Sequence, residues 1–423
     1  MAAARRGDAR QIRQLLDEGA DPDTCDTATG EPVLCIAVAA YHQEAAEALV
    51  HAGADVLRRL PDGGTALLRA VDSGSVAMTT CLLPEPVRLT SPVRGELLDR
   101  ARTWATAGTE TELRRRTGSA EQAERVRVEE GSEPCHCEQI TLGGLTARDG
   151  HAAILTALEA HLRIRTSFGA LLARALPYPD RCHAVWCEAV LVLGQRLDEE
   201  TWAAALDLST HDDRLHRLFA ADVLLSLLIG DVIGGDPFDG RGRELLPWAR
   251  REPDPEVLAV VLDALGYDMT PENEEVGLSY LTHPEPRVRV QIPDLLTQPR
   301  HQVRSHSHAQ HQAQSAGWDR PESLAAMLAL ARDPDPEVRA GVCHWLTQHL
   351  VGGPEISEAL LDLARDERQM TRIQAVSALA LRDDRRCVEA ERHIGPVDDD
   401  LARDDRLRAV DRYLERGGRQ RDR

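Results

Sequence analysis

The sequence contains no lysine: all 50 of its basic residues are arginines, set against 70 acidic residues and a net charge of −20. Without lysine, the chain cannot form a Schiff base or supply the phosphate-binding lysine of a P-loop. Lysine codons are rich in A and T, so this absence also indicates a GC-rich bacterial gene. The acidic balance opposes phosphate backbones and anionic lipid surfaces, which disfavours nucleic acid and membranes as partners.

Aromatic residues make up only 3% of the chain, and long apolar runs are missing. The interior must therefore come from leucine, alanine and valine, which suit closely packed helix pairs better than a β-sandwich. The longest apolar run, 223–229, is interrupted by Ser226 and falls short of the roughly 20 residues that span a bilayer. No apolar signal segment follows Met1, so we expect a cytoplasmic protein.

The nine cysteines are odd in number and scattered from Cys25 to Cys387. This is the usage of small core residues in a reducing compartment, and it does not suit a disulfide framework. The chain also lacks the G-x-S-x-G nucleophile elbow, the H-E-x-x-H metal motif and the dinucleotide-binding fingerprint. We therefore predict a protein that is not an enzyme, with no catalytic residue and no cofactor.

Short strings recur at intervals of 33 or 34 residues near the N-terminus. Gly19-Ala20-Asp21 returns as Gly53-Ala54-Asp55, and a leucine-rich pair precedes each of them. The leucines close a helix and the glycine supplies its left-handed cap, while Asp62-Gly63 predicts a tight turn. One such unit cannot bury its own apolar face, so neighbouring units must stack.

This pattern resembles the ankyrin repeat, and the best match runs from Asp62 to Leu83. The resemblance implies about three units over residues 1–89, the last of them degenerate because it ends in Pro84-Glu85-Pro86. The Thr-Pro-Leu-His string of the family is altered in this chain; one unit reads Pro32-Val33-Leu34-Cys35.

In ankyrin-like units the turns project as fingers, here near residues 24–31 and 57–64. Because the chain is acidic, we take Asp23, Asp26 and Asp62 as candidate partner-binding residues on these turns.

Residues 90–150 are predicted to form a helical linker. Leu97 to Arg116 has the spacing of one helix. Alternating residues at 125–128 and 139–142, followed by Gly143-Gly144, predict a small β-hairpin near 125–145. Leucine-rich stretches from 151 to 244 predict degenerate helical repeats.

A second pattern occupies residues 245–415. An Asp-Pro or Glu-Pro step precedes Val257, Val288 and Val338, and Asp366-Glu367 leads to Thr371 in a fourth copy. Arginine follows all of these residues except Val257, and apolar residues stand four and eight positions after each of them. The acidic residue caps a helix and the proline lies in its first turn. The pattern resembles the short bacterial HEAT repeat found in phycobilisome-lyase-like proteins. That resemblance implies that Arg289, Arg339 and Arg372 pair with acidic groups between units. Residues 416–423 are predicted to be a flexible tail.

A polar insert rich in His, Gln and Ser interrupts these repeats at 299–318. His306, His308 and His311 are its candidate metal ligands, but no acidic residue lies within the insert to orient them. We therefore predict no metal site there. Trp318, at its end, is a candidate anchor for a partner.

Two further strings carry cysteine and histidine. Cys135-His136-Cys137 has no C-x-x-C elsewhere to complete four zinc ligands. Cys182, His183 and Cys187 are interpreted as helix-core and surface residues.

Together these observations predict an all-α fold: an α-solenoid of N-terminal ankyrin-like repeats followed by HEAT-like helical repeats. We expect a scaffold that binds a protein partner through its concave surface, and the acidic net charge favours a basic partner. Two alternatives stay open: a lyase-like factor that handles a chromophore, and a HEAT solenoid that binds nucleic acid through a basic groove.

Overall fold

The computed structural model describes residues 1–131, 135–234, 240–267, 271–296, 321–348, 353–397, 401 and 404–421. It is mostly helical with one small antiparallel sheet, which confirms the predicted fold class. The chain divides into two compact units, Met1–Ala204 and Ala205–Arg423. This boundary falls within the segment 151–244, and the finer domain limits given above stay a prediction. Within the described ranges, every helix is too short or too polar to cross a bilayer.

The first unit consists of helices in antiparallel pairs and a sheet. Its helices are α1 (Ala2–Arg6), α2 (Ala9–Asp17), α3 (Val33–Ala39), α4 (Gln43–His51), α5 (Ala66–Ser73), α6 (Val76–Cys81), α7 (Ser91–Ala107), α8 (Thr109–Thr117), α9 (His151–His161), α10 (Phe168–Ala175), α11 (Ala184–Gly194) and α12 (Glu199–Asp207), the last of which crosses the boundary. Its strands are β1 (Glu124–Glu129), β2 (His136–Leu142) and β3 (Leu145–Arg148).

The paired helices form two layers. Helices α1, α3, α5 and α7 pack in succession as a front layer, and α2, α4, α6 and α9 form a back layer behind it. Buried leucines such as Leu34, Leu49, Leu67 and Leu158 fill the space between the layers. Gly19 and Gly53 have φ angles of 93° and 95°, as the predicted left-handed caps require.

The helix α8 and the sheet are inserted between the two members of the fourth pair, α7 and α9, which pack against each other. The prediction of one helix from Leu97 to Arg116 is wrong. Gly108 separates α7 from α8 with φ of 81° and ψ of 145°, a conformation that an L side chain rarely adopts.

The predicted hairpin is confirmed, and a third strand extends it. β1 and β2 pair antiparallel, with Val126 opposite Gln139, and β2 pairs with β3 through the turn at Gly143-Gly144. β3 contacts α5 and α8 contacts β2 and β3, so the inserted module packs on the front layer.

The second unit is helical throughout its described residues. Its helices are α13 (Arg214–Gly234), α14 (Leu246–Ala249), α15 (Pro255–Leu265), α16 (Pro271–Ser279), α17 (Pro286–Arg289), α18 (Ile292–Leu296), α19 (Pro321–Leu330), α20 (Pro336–Gln348), α21 (Pro354–Leu363), α22 (Gln369–Leu381), α23 (Cys387–Ala390) and α24 (Ala409–Arg421). Short 3₁₀ segments occur at Pro86–Arg88 in the first unit and at Leu208–Thr210, Gly242–Leu245, Glu391–His393 and Asp405–Arg408 in the second. Helix α24 continues to Arg421, into the segment predicted as a tail.

One arginine motif recurs along the second unit. Arg217, Arg289, Arg339 and Arg372 each donate to the carbonyl oxygens of the residues five and six positions earlier. Arg289 also pairs with Asp333 and Arg339 with Asp366, as the sequence predicts for bonds between units.

The other two arginines of the motif have different partners. Arg217 pairs with Glu252 at 2.9 Å, which the sequence analysis did not identify. Arg372 donates to the carbonyl oxygen of Ile394 at 3.1 Å, so it bonds to a backbone carbonyl where we expected an acidic side chain.

Candidate functional site

The acidic candidates on the N-terminal turns take part in the fold. Asp23 accepts the backbone N–H of Asp55 at 2.9 Å, which joins the first and second repeats. Asp26 accepts the N–H groups of Ala28 and Thr29 and pairs with Arg5. These N–H groups and the Arg5 guanidinium lower the pKa of Asp26, with the Ala28 bond contributing most.

Asp62 is the most exposed of the three. Its carboxylate accepts the N–H of Gly64 at 2.9 Å and pairs with Arg69 at 3.2 Å, and these two partners lower its pKa. A role for these three carboxylates in binding a partner stays a prediction. His306, His308, His311 and Trp318 lie outside the described residues.

A pocket of about 490 Å³ lies between the front layer and the inserted module. We call it the front pocket. It is lined by Val38, Ala39, Tyr41, Arg69, Asp72, Ser73, Trp104, Leu113, Arg116, Gly144, Leu145, Thr146 and Ala147. The lining combines apolar and aromatic surface with two arginines and one carboxylate, which is the composition of a binding pocket.

The floor of the front pocket is a fixed polar network. The Asp72 carboxylate accepts the indole N–H of Trp104 at 2.7 Å and pairs with Arg100 at 2.8 Å and Arg116 at 3.1 Å. The Trp104 ring stacks on His151 at 4.3 Å, and the Arg116 guanidinium lies 4.3 Å from the centre of the same ring. Asp72 and Trp104 each contact three other groups of this network, which fixes the floor before any ligand arrives.

Tyr41, on the rim of this pocket, has an unusual backbone. Its φ is 57°, whereas Gly7 and Gly74 hold the corresponding turns of the neighbouring repeats at 70° and 74°. A side chain in this left-handed region costs roughly 1–2 kcal/mol. The Tyr41 hydroxyl donates to the carbonyl of Ser73 at 2.9 Å, and Arg148 lies over its ring. Strain retained beside a pocket points to a function for the side chain.

His151 closes the back of the network as a fully buried imidazole. Its Nδ1 lies 3.1 Å from the Thr109 hydroxyl and its Nε2 lies 3.4 Å from the carbonyl oxygen of Asp72. Burial lowers the pKa of His151 to about 4, although the bond to Asp72 and the negative charges of Asp72 and Asp149 act in the opposite direction. Arg116 adds to the lowering.

This shift predicts acid sensitivity of the first unit. The unfolded chain binds a proton at His151 near pH 6.5, whereas the folded chain resists protonation until about pH 4. The free energy of unfolding should therefore fall by up to about 3 kcal/mol as the pH drops through this window. Urea unfolding at several pH values measures it. His151→Gln should remove the dependence and His51→Gln, at an exposed position, should retain it; equal slopes in both variants would contradict the assignment.

The two Cys/His strings meet in the structure, which the sequence analysis did not predict. The thiol of Cys137, a carboxylate oxygen of Asp149 and a ring nitrogen of His183 all lie within 4.8 Å of one another. Asp149 accepts the N–H of Glu138 at 2.8 Å and lies 3.1 Å from His183 Nε2. His183 Nδ1 accepts the N–H of Val185 at 3.2 Å, at the start of α11.

The ring of His183 is held from two sides. Tyr178 stacks on it at 4.2 Å, and His136 lies perpendicular to it at 5.5 Å. His136 is fixed in turn by Asp180 at 2.9 Å, and its backbone N–H donates to the carbonyl of Cys182. Asp149 and Tyr178 also line a second pocket of about 610 Å³, the side pocket, which extends to Glu110 and Arg125.

Comparison with protein families supports both predicted repeat types. Residues 1–91 match the family model for ankyrin repeats in three copies. Residues 301–380 match the family model for HEAT repeats. These findings confirm ankyrin repeats and HEAT repeats over the matched residues. Proteins built from either repeat generally act as scaffolds for protein interactions.

Proposed function

We propose that this chain is a non-catalytic scaffold that binds a protein partner through the front layer of its first unit, with the front pocket as the anchor point. The strained backbone of Tyr41 is the observation that carries the proposal. A glycine would hold the same turn without strain, as Gly7 and Gly74 do, so the strain points to a use for the tyrosine side chain, which its contacts with Ser73 and Arg148 fix at the rim of the pocket.

The chemistry of the pocket suits one side chain of a partner. Trp104 and Val38 offer apolar surface, while Arg69, Arg116 and Asp72 offer polar groups. An aromatic or long amphipathic side chain fits such a lining, and residues of this kind dominate binding energies at protein interfaces. The net charge of −20 supports a basic partner, since opposite charge accelerates encounter.

A side chain that fills the front pocket should weaken binding of the partner. Ala39→Arg places a large charged side chain at an exposed lining position on α3, and we expect the Kd for the partner to rise at least about tenfold. Ala52→Arg is the matched control because Ala52 is also exposed but lies at the end of α4 in the back layer. The full chain captures the partner from its host, and titration with the purified partner gives the affinities.

A second variant tests the Tyr41 side chain directly. Tyr41→Gly removes the left-handed strain, but it also removes the hydroxyl bond to Ser73 and the ring that packs on Arg148, so we expect a loss of stability of roughly 1–3 kcal/mol. Binding should also weaken, because the rim loses its aromatic side chain. Unchanged affinity in both Tyr41→Gly and Ala39→Arg would place the partner elsewhere.

A further inference from the structure

The group formed by Cys137, Asp149 and His183 has the composition of a transition-metal site. Thiolate, carboxylate and imidazole are the three kinds of side chain that bind zinc. Their ligand atoms lie within 4.8 Å of one another, and a single ion at bonding distance from all three is compatible with that separation. The residues come from β2, from the turn that precedes α9 and from the residue that begins α11.

We propose that Cys137, Asp149 and His183 bind one divalent transition-metal ion of the zinc class, with a fourth coordination position open to water. The side pocket supports the open position, because Asp149 belongs both to its lining and to the cluster. We take this pocket as the route by which an ion would enter.

The surroundings fix the orientation of two of the three ligands. The Glu138 N–H fixes the Asp149 carboxylate. Tyr178 and His136 hold the plane of the His183 ring. Such outer contacts set the orientation of metal ligands and strengthen binding. Gly150 leaves space for the thiol, since a Cβ there would lie 3.1 Å from the Cys137 sulfur.

Binding of an ion should release the proton of the Cys137 thiol. Burial, with the charges of Glu130 and Asp149, raises the pKa of the Cys137 thiol, so this thiol carries a proton when the site holds no ion. The ion replaces that proton, and one proton is released for each thiolate formed. An ion bound to Nε2 of His183 requires the ring proton on Nδ1, so the hydrogen bond that Nδ1 accepts from the Val185 N–H is given up. Binding should therefore weaken as the pH falls.

Cobalt(II) is the probe, because a cobalt–thiolate bond has a charge-transfer absorption that cobalt bound only to nitrogen and oxygen lacks. The full chain, stripped of metal, is titrated with Co²⁺ and then with Zn²⁺. We expect one Co²⁺ per chain, the charge-transfer band and its loss when Zn²⁺ displaces the cobalt. Cys137→Ser should abolish the band, and Asp149→Asn should lower the affinity more than about tenfold. Circular dichroism confirms that both near-isosteric variants are folded.

Two controls distinguish this site from other cysteines. Cys343→Ser, at a buried thiol in the second unit, should leave the band unchanged. The double variant Cys135→Ser/Cys187→Ser tests the neighbouring thiols and should also retain it. The proposal is overturned if the chain takes up no stoichiometric metal, if Cys137→Ser keeps the band, or if only the double variant loses it.

Discussion

Glu130→Ala is expected to lower the stability of the first unit by about 3–5 kcal/mol, the range observed when one member of a buried ion pair is removed. The Glu130 side chain is fully buried and pairs with Arg148 at 2.6 Å, whose own side chain is 14% exposed. The same carboxylate accepts the Ser75 hydroxyl at 2.5 Å and the Ala77 N–H at 2.8 Å, at the start of α6. Alanine would remove the carboxylate that pairs with the largely buried Arg148 guanidinium, which would keep only its bond to the Glu129 carbonyl. The Ser75 hydroxyl and the Ala77 N–H would also lose this acceptor.

Glu130→Ala should loosen the inserted module in particular, besides lowering the stability of the whole first unit. Glu130 joins the inserted module to the third repeat, so its loss should release the sheet from the front layer. Hydrogen exchange should rise first in β2 and β3, and urea unfolding gives the change in free energy. Glu124→Ala is the control because Glu124 is exposed on the same module and should change stability by less than about 0.5 kcal/mol. Similar losses in the two variants would show that the buried pair does not hold the module.

Glu130→Gln separates charge from hydrogen bonding. The amide oxygen can still accept from Ser75 and Ala77, but it does not neutralise Arg148. We therefore expect Glu130→Gln to be less stable than the parent chain but more stable than Glu130→Ala. A loss as large as that of alanine would mean that the charge alone supplies the stability.

Local sequence signals were enough to predict the repeats. The spacing of Gly19 and Gly53 places a left-handed cap in each unit, and the structure has both. Alternation predicts β1 and β2, because a strand repeats every two residues. The third strand, Leu145–Arg148, is too short to carry an alternation of its own. Gly108, which ends α7, lies in a segment whose apolar spacing fits one helix.

The sequence did not predict which residues that are distant along the chain lie close together in the fold. Cys137 and His183 lie on a strand and at a helix start, and only the packing of the inserted module brings them together. Two missed features did leave a signal. Tyr41 stands 34 residues after Gly7 and 33 before Gly74, which marks it as the exception at a glycine position. His211 and Arg217 have the same six-residue spacing as Asp333 and Arg339, which extends the arginine motif toward the start of the second unit.

The arginine motif supports the second large prediction because, among the described residues, the arginine and its acidic partner are matched at every junction but one. Glu252, Asp333 and Asp366 each accept an arginine of the preceding unit. At another junction both are missing, since Leu258 stands where an arginine is otherwise found and His283 stands where the acid would be. Arg372 is the exception, because it donates to a backbone carbonyl instead. A buried arginine without its acid would be costly, and so would the acid without its arginine.

Asp333→Ala is accordingly expected to cost about 3–5 kcal/mol in the second unit. Arg289 donates to both carboxylate oxygens of Asp333 at 2.7 Å, and their side chains are only 9% and 7% exposed. Burial alone would raise the pKa of Asp333, but the Arg289 guanidinium outweighs it and holds this pKa below its usual value. The pair should therefore stabilise the fold above about pH 4 and lose its contribution as the pH falls further.

Urea unfolding of the full chain, with hydrogen exchange to locate the change in α17 and α20, measures the effect. Asp362→Ala is the matched control, since Asp362 pairs with Arg332 at 3.4 Å on the surface, and such pairs contribute about 0–1 kcal/mol. The double variant Arg289→Leu/Asp333→His copies the junction of Leu258 and His283 and should recover at least half of the loss, because it leaves no buried charge unpaired. If Asp333→Ala costs no more than Asp362→Ala, or if the double variant is less stable than Asp333→Ala, the matched occurrence of arginine and acid along these repeats has another cause.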